Sequence, residues 1–163
     1  MKVLFIGGTG NISMASSIRA LKKGMELHLL TRGNSMNAPK GASLIQADIN
    51  DSEKVKKLLA DHYFDVVVNW VAFKPEDINR DFELFRDKTD QYIFISSASC
   101  YQKPLSHPVI TESTPLINPF WSYSRDKIAC EDRLISLYRE FGFPITIVRP
   151  SLTYDTVIPV PIG

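Results

Sequence analysis

Cysteine is nearly missing from these 163 residues: Cys100 and Cys130 stand alone, with no CxxC pair and no Cys/His cluster at zinc-ligand spacing. A disulfide framework and a metal site are therefore not expected, and the usage fits a reducing compartment. Long apolar runs are lacking as well. None approaches the roughly 18 residues of a membrane span. The first, KVLFI, is too short for a signal-peptide core and passes straight into glycines. A soluble, cytoplasmic protein is expected. Nor is there an excess of one charge. The 19 Lys and Arg against 18 Asp and Glu leave a net +1, spread along the chain, which argues against a protein of nucleic acid backbones or acidic membranes. Internal repeats and low-complexity segments are absent.

What is present suits one soluble domain. Apolar content of 44% and charged content of 23% are ordinary, and a chain near 150 residues buries about 68–70% of its unfolded surface. Short apolar runs at 2–6, 25–30, 42–47, 64–73, 91–97 and 144–150 read as buried strands. Between them lie helical spacings. Ile12, Ala15, Ile18 and Leu21 precede a stop at Gly24. Asn50 and Glu53 resemble a capping box for a helix with Val55, Leu58 and Leu59. Ile78, Phe82 and Phe85 mark a helix over 75–88. Ile128, Leu134, Ile135, Tyr138 and Phe141 are expected inward on a helix over 122–141. The Pro-, Ser- and Thr-rich stretch 97–120 reads as a long loop of the kind that usually carries function. Strand–helix alternation predicts an α/β fold, a doubly wound parallel sheet in the order 3-2-1-4-5-6.

The turn after the first strand reads GGTGNIS. Gly7, Gly10 and Ser13 form G-x-x-G-x-x-S between a strand and a helix, where bare backbone lets a pyrophosphate lie against helix N-terminal amides. Ser13 replaces a third glycine but stays small. At the end of the second strand, LLTRGN carries no acid at Thr31 to bind a ribose 2′-hydroxyl. Arg32 could instead pair with a 2′-phosphate, so NADP is favoured over NAD, with a solvated surface arginine as the plainer reading. Asp48, in QADIND, could hydrogen-bond an adenine amino group or simply shape a turn.

In WSYSRDK, Tyr123 and Lys127 are four apart near a helix start and so share a face. A neighbouring ammonium favours the phenolate and makes the pair a credible general acid/base. Alone, the spacing is also that of any amphipathic helix. Ser97, at the end of the fifth strand, adds a hydroxyl where such sheets bind ligands.

Together GGTGNIS, QADIND, VVNWVAF, YIFISSASCYQ, YSRDK and IVRPSLTYD resemble the short-chain dehydrogenase/reductase superfamily, and within it the extended branch of nucleotide-sugar epimerases and dehydratases. The resemblance covers essentially the whole chain. It implies a catalytic trio of Ser97 (Ser99 as runner-up), Tyr123 and Lys127. Tyr123 would move the proton, Lys127 would lower its pKa and bind the nicotinamide ribose, and Ser97 would orient the substrate oxygen. It implies a dinucleotide site at Gly7, Thr9, Gly10, Asn11 and Ile12 of the glycine turn, at Arg32, Asp48 and Ile49, at Val71 and Ala72, and at Tyr123, Lys127 and Pro150, with Ser151 near the nicotinamide. A nucleotide sugar is the implied substrate and a homodimer packed through the helices near 75–88 and 122–141 the implied assembly. Departures are Gln102 after Tyr101, Tyr154-Asp155 where Tyr-Gly is common, and Asn69 where His is frequent. Extended members run well beyond 163 residues, so the chain is expected to be the N-terminal, cofactor-binding part of a longer enzyme, lacking most of the substrate pocket. A dinucleotide-binding regulatory or RNA-associated module without turnover is the alternative. His28, His62 and His107 have no partner at metal or triad spacing. Trp70 and Trp121 are expected to pack, and Glu112 to be a loop carboxylate.

Overall fold

The computed structural model describes residues 1–33 and 37–153. The pair Tyr154-Asp155 lies outside them. Six short, largely apolar runs pair as parallel strands: β1 (Lys2–Ile6), β2 (Glu26–Thr31), β3 (Ser43–Gln46), β4 (Val66–Asn69), β5 (Tyr92–Ile95) and β6 (Ile145–Val148). Their order is β3-β2-β1-β4-β5-β6, with β1 opposite Leu27 and Val66 through Val3. The connections are α1 (Asn11–Lys22), α2 (Ser52–Leu58), α3 (Pro75–Phe85) and α4 (Ser122–Phe141), with one turn of 3₁₀ helix at Ala98–Cys100. Strand side chains alternate between faces. Leu4, Ile6, Val67 and Phe94 therefore meet α2, α3 and α4 through Val55, Ile78, Phe82, Phe85, Leu134 and Leu137. On the other face Val3, Phe5, Leu27, Leu29 and Val68 pack with Ala20 and Leu21 of α1 and with Trp70.

Two helices bury a different face from the one their apolar spacing predicts. In α1, Ile12 and Ile18 are 44% and 39% exposed, whereas Ser13, Ser17 and Ala20 are buried. Small side chains win because the helix start lies directly over the glycine turn. The Ser17 hydroxyl donates to the Gly8 carbonyl at 2.8 Å, and the Ser13 hydroxyl accepts from the Gly10 amide at 2.9 Å. In α4, Leu134 is buried as expected and Ile128 and Ile135 partly so, but Tyr138 and Phe141 are 58% and 59% exposed. The buried stripe instead runs Ser124, Lys127, Cys130, Glu131, Leu134 and Leu137. Two charged residues on it hide its phase from a hydrophobicity reading.

Smaller differences have local causes. The cap of α2 is Asp51, whose side chain accepts from the Lys54 amide at 3.1 Å, so the expected Asn50/Glu53 box does not form; Leu58 is exposed. The apolar run 64–73 is a strand only over Val66–Asn69. Its end is set by the Asn69 side chain, whose Oδ1 accepts from the amides of Val71 and Ala72 at 2.7 and 2.8 Å and turns the chain. Helix α3 stops at Phe85, three residues short of the expected 88.

Candidate functional site

Strand β1 runs into Gly7 and Gly8, both at positive φ (95° and 96°). A Cβ at Gly7 would lie 3.1 Å from Val71 Cγ1, and one at Gly8 2.7 Å from Leu29 Cδ2, so the turn tolerates no side chain there. Gly10 differs. Its φ is −87°, and a Cβ would meet only Ser13 Oγ at 3.6 Å. Among the described residues nothing requires a glycine at 10. What the missing side chain leaves open is a cavity wall beside the first-turn amides of α1, which have no acceptor within the helix. That combination fits an anionic group laid on the backbone.

Two cavities flank this turn along the C-terminal edge of the sheet. The first, about 300 Å³, is lined by Gly7, Thr9, Arg32, Asp48, Ile49 and Val71, with Asp77 and Arg80 of α3. The second, about 380 Å³, is lined by Gly10, Asn11, Ile12, Ser97, Tyr123, Lys127, Pro150 and Ser151, with Trp70 and Phe73. Thus Ser97, Tyr123 and Lys127, spread over 31 positions, share one cavity beside the glycine turn. Of the residues expected to line a cofactor, only Ala72 lines neither cavity. It is fully buried beneath them, and its carbonyl accepts from Lys127 Nζ at 2.7 Å.

Lys127 is 2% exposed. Its ammonium also donates to the Ile95 carbonyl at 2.8 Å and sits 4.6 Å from the ring centres of Phe73 and Phe94. Burial pulls it down from 10.5 to about 8. The Tyr123 phenol is pushed above its ordinary value by burial, while the Ser97 hydroxyl pulls the other way. The Tyr123 phenol and Ser97 line the same cavity, and Lys127 Nζ lies 5.8 Å from the Tyr123 ring centre. Between the two candidate serines the structure discriminates. Ser97 lines the cavity and Ser99 does not; the Ser99 hydroxyl lies 2.9 Å from that of Ser97 and accepts from Ser124 at 2.8 Å, and its carbonyl accepts from Asn118 at 2.8 Å. Trp121 and Phe73 flank Tyr123 with ring centres at 4.7 and 6.1 Å.

Sequence reasoning missed the groups that hold this arrangement. Glu131, one turn beyond Lys127 on α4, is fully buried. It accepts from the Ser96 hydroxyl and from Arg149, whose Nη2 lies at 2.6 Å; Arg149 also donates to the Tyr101 hydroxyl at 3.2 Å. The only advance signal is the continued four-residue spacing Tyr123, Lys127, Glu131. A second network is centred on Asp81, also fully buried, which accepts from Asn69, from Tyr92 at 2.6 Å and from Arg80 at 2.8 Å. Burial raises the Asp81 carboxyl, and Arg80 opposes that. Asp48 shows its turn role, its Oδ1 accepting from the Asn50 amide at 2.9 Å, and also lines the first cavity. Trp70 packs edge-on against Phe5 and lines the second. His28 pairs with Glu26, and His107 bonds within its own loop. Among the described residues no group of His, Cys, Asp and Glu is placed to share a metal, and no helix is long and apolar enough to cross a membrane.

Comparison with known proteins identifies the family and the fold. A model of the NAD dependent epimerase/dehydratase family matches residues 3–155. The chain is 30% identical, over 91% of its length, to a UDP-glucose 4-epimerase of Lactobacillus helveticus, of which it spans 51%. It is also 30% identical, over 94% of its length, to the chloroplast stem-loop binding protein of 41 kDa b of Arabidopsis thaliana, of which it spans 42%. The solved UDP-Glc/GlcNAc 4-epimerase of Campylobacter jejuni superposes with a TM-score of 0.76 at 25% identity, covering 91% of this chain and 52% of that one. The chain therefore spans about half the length of the relatives it matches. Its sheet order, glycine turn and matched residues make it a member of the NAD dependent epimerase/dehydratase family.

Proposed function

We propose that residues 1–163 are the dinucleotide-binding part of a longer NAD(P)-dependent enzyme that epimerises, dehydrates or reduces a nucleotide sugar at a hydroxyl or carbonyl. The observation that carries this reading is the convergence of Ser97, Tyr123 and Lys127 on one cavity beside a glycine turn. The bound nicotinamide supplies hydride transfer. The chain's own groups do the rest. Tyr123 exchanges a proton with the substrate oxygen, and Ser97 orients that oxygen and stabilises the phenolate. Lys127, with a pKa of about 8, supplies a positive charge below that pH. Residues Gly7 to Ile12 hold the diphosphate, and Asp48 and Ile49 face the adenine. NADP is the preferred cofactor, with NAD as the alternative, because Arg32 rather than an acid follows the second strand. The enzyme acts in the cytoplasm as a homodimer joined through α3 and α4.

Similarity to the chloroplast stem-loop binding protein supports a second reading, a dinucleotide-binding or RNA-associated module without turnover. Both readings are tested by titrating the chain with NADPH and with NADH, following nicotinamide fluorescence. Binding of either is expected, and binding of neither overturns both. In the full-length protein, Tyr123→Phe is expected to leave cofactor binding within about twofold and to lower turnover of the cognate sugar nucleotide by at least about 100-fold. A biological activity that survives this change would favour the module.

A further inference from the structure

Where the end of β5, the long loop and the start of α4 meet, four polar side chains are linked in a row that ends at the second cavity. Asn118, 7% exposed, is the fixed end. Its Oδ1 accepts from the Phe120 amide at 3.1 Å, so its Nδ2 carries the two hydrogens. One is donated to the Ser99 carbonyl at 2.8 Å and the other to Ser124 Oγ at 3.3 Å. Ser124, in the first turn of α4, is fully buried, and its hydroxyl donates to Ser99 Oγ at 2.8 Å. Ser99 Oγ lies 2.9 Å from Ser97 Oγ, which also accepts from the Ser99 amide at 3.2 Å. Ser97 then lines the cavity that holds Tyr123 and Lys127.

The direction of this row follows from its hydrogens. A hydroxyl has one hydrogen and two acceptor sites. Ser124 receives a hydrogen from Asn118 and gives its own to Ser99. Among the described residues the Ser99 hydroxyl has one further oxygen within reach, that of Ser97, and donates to it. The opposite direction would strand the Ser124 hydrogen without an acceptor in a fully buried position, the costlier arrangement. Ser97 Oγ therefore receives two hydrogens, from the Ser99 hydroxyl and amide, and its acceptor sites are filled. Its own hydrogen is left for the cavity. We propose that Asn118, Ser124 and Ser99 form a one-way hydroxyl relay that commits Ser97 to donating toward the reacting oxygens, and that Asn118 and Ser124 are positioning residues for the Tyr123 acid/base. The proposal rests on the reading of Ser97, Tyr123 and Lys127 as the reacting groups. A serine committed in this way can hydrogen-bond a carbonyl, an alkoxide or a phenolate, and it cannot take a proton from the substrate. A substrate hydroxyl that accepts the Ser97 hydrogen has its own proton directed to Tyr123. A carbonyl that accepts it is polarised to take that proton back.

The test is fluorine NMR of the 163-residue chain carrying 3,5-difluorotyrosine, whose phenol titrates near neutral pH, with the Tyr123 signal identified by its loss in Tyr123→Phe. Ser97→Ala is expected to raise the Tyr123 titration midpoint by at least about half a pH unit, because the donor to the phenolate is gone. Ser124→Ala should raise it by at least about 0.3 unit in the otherwise wild-type chain and by less than about 0.1 unit in the Ser97→Ala background. Ser99→Ala should act as Ser124→Ala does, whereas Ser99→Thr, which keeps the hydroxyl, should hold the wild-type midpoint. No shift from Ser124→Ala, or the same shift with and without Ser97, would overturn the relay and leave the catalytic reading standing. A midpoint unmoved by Ser97→Ala would overturn the reading that Ser97 serves Tyr123, and the relay with it. The Ser99 pair makes the comparison where Ser124→Ala does not fold: equal midpoints for Ser99→Ala and Ser99→Thr would overturn the relay.

Discussion

Lys127 shows how a single residue ties the site to stability. Its pKa lies at about 8 in the folded chain and near 10.5 when exposed, so between those values the unfolded chain holds more protons than the folded one. Stability then rises with pH across that window and is unaffected by this group below it. Two buried thiols pull the other way. Cys100 and Cys130 are both raised by burial, Cys130 to about 12, so they keep their protons when folded and cost stability as pH climbs. The wild-type curve alone would mask the lysine. The difference in unfolding free energy between wild type and Lys127→Met is expected to move by about 2 kcal/mol in favour of wild type from pH 7.5 to 9.5. Urea titrations at several pH values measure it, and a flat difference would mean that the ammonium is better solvated than its burial implies. At this scale the sequence was informative where chemistry depends on local spacing: Tyr123 and Lys127 share a face because they are four apart. Spacing could not place Ala72 beneath the cavity wall, nor tie Asn69 to Asp81 and Ser96 to Glu131 across 12 and 35 positions.

At the scale of elements, α4 is both the carrier of Tyr123 and Lys127 and the place where its own apolar pattern misleads. Its buried stripe is anchored by Glu131, which joins the helix to the end of β5 through Ser96 and to the end of β6 through Arg149. The same strand ends present Ser97 and Pro150 to the second cavity. The Pro150 carbonyl, in turn, accepts from the Ala98 amide at 2.9 Å, just after Ser97. Removing one member of such a buried pair leaves the other charge uncompensated. Glu131→Ala is expected to lower stability by about 3–5 kcal/mol, measured by urea unfolding. The double change Glu131→Leu with Arg149→Met should recover at least half of that loss, because it leaves no orphan charge. A double variant as unstable as Glu131→Ala would show that packing rather than charge anchors the helix. The α1 face eluded the sequence for a related reason. A helix that starts over a glycine turn needs Ser13 and Ser17 beneath it, and the larger Ile12 and Ile18 are left outside.

For the whole molecule, the order of the strands was the most legible property, because short buried strands alternating with helices leave right-handed crossovers few arrangements. How completely the sheet is covered was not legible. Runs of Val and Ile suggested strands buried on both faces, yet among the described residues α1 is the one helix over the face that carries Val66, Val68 and Ile93, beside an apolar groove of about 610 Å³. On the opposite side, Tyr138 and Phe141 project from α4 into solvent. Either surface could hold a second copy, and the two are separable. A dimer built on α3 and α4 is isologous, pairing each helix with its counterpart through a patch of about 800 Å² per partner. Sedimentation velocity on the chain at tens of micromolar is expected to show a dimer. Tyr138→Glu combined with Phe141→Glu should convert it to a monomer, because a carboxylate facing its own symmetry mate is repelled as well as desolvated. Ile93→Thr, which makes the groove more polar, should leave the dimer intact. The reverse outcome, dissociation by Ile93→Thr and none by the α4 pair, would move the interface to the sheet, where association satisfies a need that every parallel sheet has: cover for its second face.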